Sequence, residues 1–332
     1  MAMVPQVGAW RSGMAWMIGI DEAGYGPNLG PLVVTCVAFR VPDELLSRCL
    51  WSVLSAGTRK WTADDDDRII VDDSKRVYST ARGLGELETH VLAALNVSLS
   101  ERCSKLSGMV ERLCEGGDGL AAERWYSGKR SVPVQADSDR CATLAERFAH
   151  TCSKEGVEPA HVSSQVINAR LFNRLTISGD SKGAVLAHCL MTHVAAVSAR
   201  CPEEGLHFFV DKHGGRNTYA AMLQDALTEG MVIVERETMA SSVYRVLGGN
   251  REIRFRFQPR ADSEHFCVAL ASMISKYLRE LLMLEFNEFW QSHVPDIKPT
   301  AGYPGDAGRF FEQIRPSMQR LGMVDDDVWR CR

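Results

Sequence analysis

The chain contains no run of apolar residues approaching the ~18–20 that a bilayer crossing requires, which excludes an integral membrane protein. Its ten cysteines include no C-x-x-C pair and fall at irregular intervals. That excludes a zinc-finger spacing and argues for reduced thiols in a cytoplasmic protein rather than a disulfide framework. Charge of neither sign dominates, because 38 basic against 42 acidic residues leave a formal −4. A nucleic-acid partner is therefore not signalled globally; it would need a local basic face and metal ions bridging to phosphate. Internal repeats and low-complexity tails are missing as well. The apolar stretch Met14 to Ile20, preceded by Arg11, runs straight into Asp21-Glu22 with no small-residue cleavage site, so no secretory signal is expected. What is present is an ordinary globular balance, 332 residues with 45% hydrophobic and 24% charged, enough for two domains or one with a large insertion.

Met17-Ile18-Gly19-Ile20 reads as a buried strand ending in a carboxylate pair. The glycine-rich turn Gly24 to Pro31 follows, then a β-branched run from Leu32 to Phe39, which together predict an antiparallel hairpin. A helix capped by Ser79 or Thr80 is expected to reach about Leu95. Residues 97–160 mix charged helix-like stretches with Gly116-Gly117-Asp118-Gly119 and the loop Ser127 to Asp139, and read as an insertion or lid. Beyond it come a helix from Gly183 to Arg200 stopped by Cys201-Pro202, a strand Leu206 to Val210, a helix Asn217 to Leu227 and strands Met231 to Glu235 and Ile253 to Phe257. A long helix from Asp262 to about Phe289 closes the series. This order predicts a mixed β-sheet flanked by helices, an α/β fold with an inserted segment. Its parts are residues 17–96, the insertion 97–160, and residues 161–315.

Acids sit where such a sheet keeps its ligands. Asp21 and Glu22 close the first strand, Asp211 closes Leu206 to Val210, and Asp262 opens the long helix. Four converging carboxylates repel one another unless a hard divalent cation such as Mg²⁺ or Mn²⁺ joins them. Two such ions, about 3.5–4 Å apart, clamp the attacking water and leaving oxygen of a phosphodiester. Taken singly, Asp262 before Ser263 equally suits an N-cap, and Asp211 before Lys212-His213-Gly214-Gly215 equally suits a turn. The glycine turn lets backbone amides approach a phosphate or ribose, but it lacks the Lys-Ser/Thr of a P-loop and opens no helix, which excludes a nucleoside-triphosphate site.

Gly19-Ile20-Asp21-Glu22-Ala23-Gly24-Tyr25-Gly26, with Leu29-Gly30-Pro31, resembles the opening motif of the type 2 ribonucleases H, the ribonuclease HII and HIII family. Asp73-Ser74-Lys75 resembles the family's D-S-K block, and Phe209-Val210-Asp211 the strand carrying its third acid. Arg260-Ala261-Asp262-Ser263 with Val268 to Tyr277 resembles the helix bearing the fourth, and Gly302-Tyr303-Pro304 a later G-Y block. The resemblance implies a ribonuclease H-like fold with Asp21, Glu22, Asp211 and Asp262 as catalytic, metal-binding acids holding two Mg²⁺ or Mn²⁺ ions. It implies that Gly24, Tyr25, Gly26 and Tyr303 shape a ribose site and that Ser74 and Lys75 hold phosphate. The implied activity is endonucleolytic hydrolysis of the RNA strand of an RNA–DNA hybrid, or of a ribonucleotide-containing duplex, leaving 3′-hydroxyl and 5′-phosphate ends. This chain carries Tyr25 where ribonuclease HII has the Arg that helps read the ribose 2′-hydroxyl, and Gly305 to Phe310 where a Thr and His are expected. It is thus a divergent member by pattern. A structure-specific nuclease without hybrid preference, and a catalytically idle nucleic-acid-binding protein on the same fold, are the alternative expectations.

Outside these motifs, His213 reads either as a proton shuttle or metal ligand near Asp211, or as an exposed loop histidine, with Lys212 and Arg216 in reach of phosphate. Arg236, Arg245, Arg251, Arg254, Arg256 and Arg260 give the stretch from Glu235 to Arg260 an excess of positive charge. Arg254 and Arg256 share one strand face, about 7 Å apart, opposite Phe255 and Phe257. Either this is a nucleic-acid face or a solvated strand. Asp64 to Asp67 reads as a solvated surface loop.

Overall fold

A computed structural model describes residues 13–63, 66–99, 102–114, 119–201, 203–227 and 230–331. The expected acidic loop at 64–67 and the glycine run at 116–119 fall partly outside those residues. Strands β1 (Met14–Ala23), β2 (Leu32–Pro42), β5 (Glu158–Ile167), β6 (Gly205–Asp211), β7 (Met231–Glu237), β8 (Ser242–Leu247) and β9 (Ile253–Gln258) form one sheet in the order β5-β2-β1-β6-β9-β8-β7. The short parallel pair β3 (Thr58–Arg59) and β4 (Ile69–Ile70) lies apart. β1 and β2 are the expected antiparallel hairpin, while β6 lies parallel to β1 and β9 parallel to β6. The helices are α1 (Leu50–Val53), α2 (Ser74–Val77), α3 (Gly85–Ser98), α4 (Leu106–Leu113), α5 (Ser138–Lys154) and α6 (Ala169–Ser178), followed by α7 (Gly183–Arg200) and α8 (Ala220–Ala226). The last three are α9 (Ala261–Glu264), α10 (Phe266–His293) and α11 (Pro304–Arg320). The fold is thus a mixed α/β sheet with helices on both faces. No helix among the described residues is long and apolar enough to cross a membrane.

Successive side chains of a strand point to opposite faces, and β1 is buried on both. Met17 joins the α10-side core with Phe39, Val91, Phe148 and Tyr277, whereas Ile18 and Ile20 join the α7-side core with Phe208 and Phe255. Gly19 sits under α10, where a Cβ would lie 2.2 Å from the Cys267 carbonyl carbon and the Val268 nitrogen. Only glycine lets that helix sit so close to the sheet.

Local structure departs from expectation in three places. Helix α3 begins at Gly85 rather than near Ser79, because Gly83 adopts φ 77° and turns the chain. No serine or threonine caps it; instead the Gln135 side-chain oxygen accepts from the amides of Leu84 and Gly85, at 2.8 and 3.0 Å. The long helix expected from Asp262 is broken at His265 into α9 and α10, and it runs on to His293. Strands β5 and β8 and helix α6 had no counterpart in the sequence reading.

Residues 102–114 and 119–157 add Leu106, Met109, Leu144 and Phe148 to the α10-side core. Two buried carboxylates fasten this segment. Glu88 accepts from the amides of Val134, Gln135 and Ala136 and from the Tyr277 hydroxyl, all within 2.6–2.7 Å. Glu285 accepts from the Ser127 amide and hydroxyl at 2.8 Å and from the Gly128 amide at 3.1 Å.

Candidate active site

The parallel register of β1, β6 and β9 aligns their carboxyl ends, so Asp21 and Asp211 emerge on the α10 face while Glu22 points to the other. Arg260, in the left-handed region at φ 56°, turns the chain so that α9 presents Asp262 beside them. Asp262 does not cap its helix: Arg260 occupies the N-cap position and no side chain caps it. Asp211 accepts from the Ala261 amide at 3.1 Å, which ties the end of β6 to the start of α9.

These acids bear on one another. Burial, then the charges of Glu22 and Asp211, push the Asp21 carboxyl well above its ordinary value. Burial and Asp211 push Glu22 up to about 7. Burial, then Asp73 and Asp211, push Asp262 up to about 6. Burial raises Asp211 as well, against the opposing pull of the amides around it. Lys75 is the cation that acts on Glu22, Asp211 and Asp262 alike. The structure therefore brings together all four acids expected from the sequence, with Lys75, and adds Asp73. Asp73 also caps α2 by accepting from the Lys75 amide at 2.9 Å. Its position within Asp73-Ser74-Lys75 was the signal that could have found it.

Among the described residues, no three His, Cys, Asp or Glu side chains stand close enough to hold one ion. The chemistry of the donor set nevertheless fits a hard divalent cation. The groups are carboxylates alone, burial raises the proton affinity of each, and the Asp211 charge raises that of Asp21, Glu22 and Asp262 further.

Hydroxyls underlie the acids. Asp21 is hydrogen-bonded by Ser272, whose Oγ lies 3.2 Å from that of Ser74. Ser275 reaches the Asp21 carbonyl at 3.1 Å and the Thr35 hydroxyl at 2.8 Å. Ser74 is thus buried behind Asp21, while Lys75 is exposed.

The glycine turn is clamped from below. Gly24 has φ 92°, and a Cβ there would meet the Arg279 side chain at 2.3 Å. Arg279, almost fully buried, donates to the carbonyls of Pro31 and Ala301 at 3.2 and 3.0 Å. It thereby joins the turn to the loop carrying Tyr303, which is half exposed beside Gly26. Arg330 donates to the Pro27 carbonyl from the same side. Tyr25 is half-buried against the α7-side core, with the Lys182 ammonium 4.5 Å from its ring centre.

No protein-family model and no curated protein matches this chain. Solved structures do. Among them are ribonucleases H of the H2, HII and HIII kinds. The ribonuclease H2 of Pyrococcus horikoshii OT3 is 14% identical, with 94% of this chain and 92% of that one covered at a TM-score of 0.47. The ribonuclease HII in the PCNA complex from Archaeoglobus fulgidus is 16% identical over 95% and 94%, at 0.41. A Bst-RNase HIII in complex with Mn²⁺ is 16% identical over 95% of this chain and 66% of that one, at 0.42.

Several residues singled out in the sequence have side-chain partners other than the acids. His213 is no exposed loop residue: it packs edge-on against Tyr219 and Phe257, 5.8 and 6.4 Å between ring centres. Burial, then Arg216, holds it down at about 4. Lys212 is engaged by the Asn217 side chain at 2.7 Å and the Thr238 carbonyl. Of the six arginines between 236 and 260, Arg251 is buried on the Ser198 and Cys201 carbonyls, and Arg245 pairs with Glu235 at 3.2 Å.

Proposed function

We propose that this chain is a metal-dependent endonuclease of the type 2 ribonuclease H kind, hydrolysing the RNA strand of RNA–DNA hybrids to 3′-hydroxyl and 5′-phosphate ends. The observation that carries the reading is the meeting of four strand-end and helix-start acids, from three distant parts of the chain, with burial raising the proton affinity of each and the Asp211 charge raising that of the other three. Asp21, Glu22, Asp211 and Asp262 would hold two Mg²⁺ or Mn²⁺ ions. When bound, such ions supply an activated water and neutralise charge on the phosphodiester and leaving oxygen.

The chain's own residues do the rest. Ser272, backed by Ser74, fixes the Asp21 carboxylate in one orientation. The exposed Lys75 ammonium binds the substrate phosphate, drawing it towards the acids it already offsets. Gly24, Tyr25 and Gly26 with Tyr303 form the ribose side of the site, held rigid by Arg279. Residues 97–160 are, in this reading, an inserted segment of the same domain.

One observation favours a second reading, a nuclease without dependence on ribose. Tyr25 lies half-buried beneath Lys182 rather than free at the turn. Three labelled duplexes decide between them in Mg²⁺ and Mn²⁺: an RNA–DNA hybrid, DNA with one embedded ribonucleotide, and DNA alone. Cutting of the hybrid and not of DNA is expected. Equal cutting of all-DNA supports the second reading, and silence on all three by folded protein overturns both.

A further inference from the structure

Helix α10 packs chiefly on β1 and β2, and together with α9 it touches β6 only lightly, which leaves most of the same face of β9 and β8 open. There a cavity of about 480 Å³ opens, lined by Arg48, His207, Phe209, Arg254, Arg256 and His265. β9 builds it by strict alternation: Phe255 and Phe257 are buried on the α7 side while Arg254 and Arg256 are exposed on this one. Cross-strand register sets Arg254 beside His207 and Arg256 beside Phe209. Two residues further along, on the same face, is Asp211. The cavity is therefore a continuation of the acid site along the sheet.

Its chemistry is specific. Three arginines line it against one carboxylate, Glu264. Arg254 is offset by Glu252, but Arg48 and Arg256 have no ion-pair partner among the described residues. Beside Arg256 lies an aromatic pair, Phe209 stacked on His265 with ring centres 4.1 Å apart. Burial, then the Arg256 charge, holds His265 down at about 4, so its ring is neutral and flat near pH 7. Cationic groups spaced along a groove with aromatic faces beside them suit a polyanion that carries stackable rings.

We propose that this cavity face of β6, β9 and β8 is a binding track for single-stranded nucleic acid, taking the unpaired flank of the substrate as it leaves the acid site. The proposal rests on the nuclease reading only for the word substrate; the track's affinity for a single strand stands on its own residues.

The test is fluorescence anisotropy of a labelled 20-nucleotide oligo(dT) with the full chain in EDTA, so that cleavage plays no part. The Arg254→Gln/Arg256→Gln double variant should bind at least tenfold more weakly. Its log–log salt slope should be shallower by about 1.4, two contacts at ~0.7 each. Arg48→Gln, which also lines the cavity, should lose about half of that slope change. Arg309→Gln, whose guanidinium pairs with Asp306 elsewhere, should bind as wild type. Both β9 positions are exposed, and circular dichroism checks the fold. Failure of the wild-type chain to bind oligo(dT), or an unchanged slope in the double variant, overturns the track. Slope loss in the double variant with no cleavage of any duplex keeps the track and removes the nuclease reading. Cleavage with an unchanged slope does the reverse.

Discussion

Two sets of buried carboxylates sit within this fold, and they are treated in opposite ways. Glu88 and Glu285 are surrounded by donors: three amides and a tyrosine hydroxyl for the first, two amides and a serine for the second. Their charge is spent on holding the 127–136 loop to α3 and α10. Asp211 is likewise held by amides, but Asp21, Glu22 and Asp262 receive fewer donors, and the Asp211 charge bears on all three. A buried charge must be hydrogen-bonded, paired or neutralised. Where the protein supplies donors the acid is structural, and where it withholds them the site is left to be completed by something else.

The largest expected effect breaks the second set. Asp21→Asn should reduce cleavage of the hybrid about a thousandfold, which is ~4 kcal/mol of barrier, while thermal unfolding without metal occurs no earlier than in wild type. Wild-type turnover in that variant would end the assignment of the acids. Breaking the first set should do the reverse. Glu88→Ala strands three amides and a hydroxyl, and should cost about 3 kcal/mol or more in urea unfolding, whereas an exposed acid such as Glu312 should cost almost nothing.

pH sharpens the contrast, with opposite signs for two kinds of group. Folding raises Glu22 to about 7. A carboxylate raised on folding contributes stability while protonated and loses it as pH rises through that value. In metal-free buffer, Glu22→Gln should therefore gain stability relative to wild type between pH 5 and 8, and added Mg²⁺ should shrink the gain. His193 is buried, donates from Nε2 to the Val34 carbonyl, and is held down at about 4 by burial. Its neutral form stabilises the fold above its unfolded value, and that contribution, on the order of 3 kcal/mol, is lost as pH falls from about 6.5 towards 4. His193→Gln should flatten that limb of the acid unfolding curve; an unchanged limb would show that other groups dominate it.

Much of this site was legible before any coordinates, for a physical reason. Acids at strand ends and glycines at forced turns are dictated by chemistry that leaves few alternatives, so Asp21, Glu22, Asp211 and Asp262 stood out. Asp73 did not, because an aspartate before Ser74-Lys75 is equally a helix cap, and the structure shows it capping α2 with its charge bearing on Asp262. Strand β5 was missed because His161, Ser163 and Ser164 spoil its apolar pattern. Their polarity is absorbed by partners distant in sequence, Ser164 by Thr35 at 2.8 Å and Ser163 by His193 at 3.2 Å. The start of α3 was misplaced because its cap, Gln135, lies fifty residues away. The burial of His213 was not legible because the rings of Tyr219 and Phe257 that pack on it lie further along the chain.

The closeness of α10 to Gly19 has a wider consequence. From one helix hang the Ser272 contact to Asp21, the Ser275 contact beneath it, the Arg279 clamp on the turn and the Glu285 grip on the 127–128 loop. Met283 fills the space beneath Gly30. The carboxylates, the glycine turn and the 127–128 loop are therefore indexed to a common shaft. A shift of that shaft by a fraction of an ångström would misalign all of them together. None of these contacts can be tuned alone, and a repacked Trp290 far down the helix would register at the carboxylates.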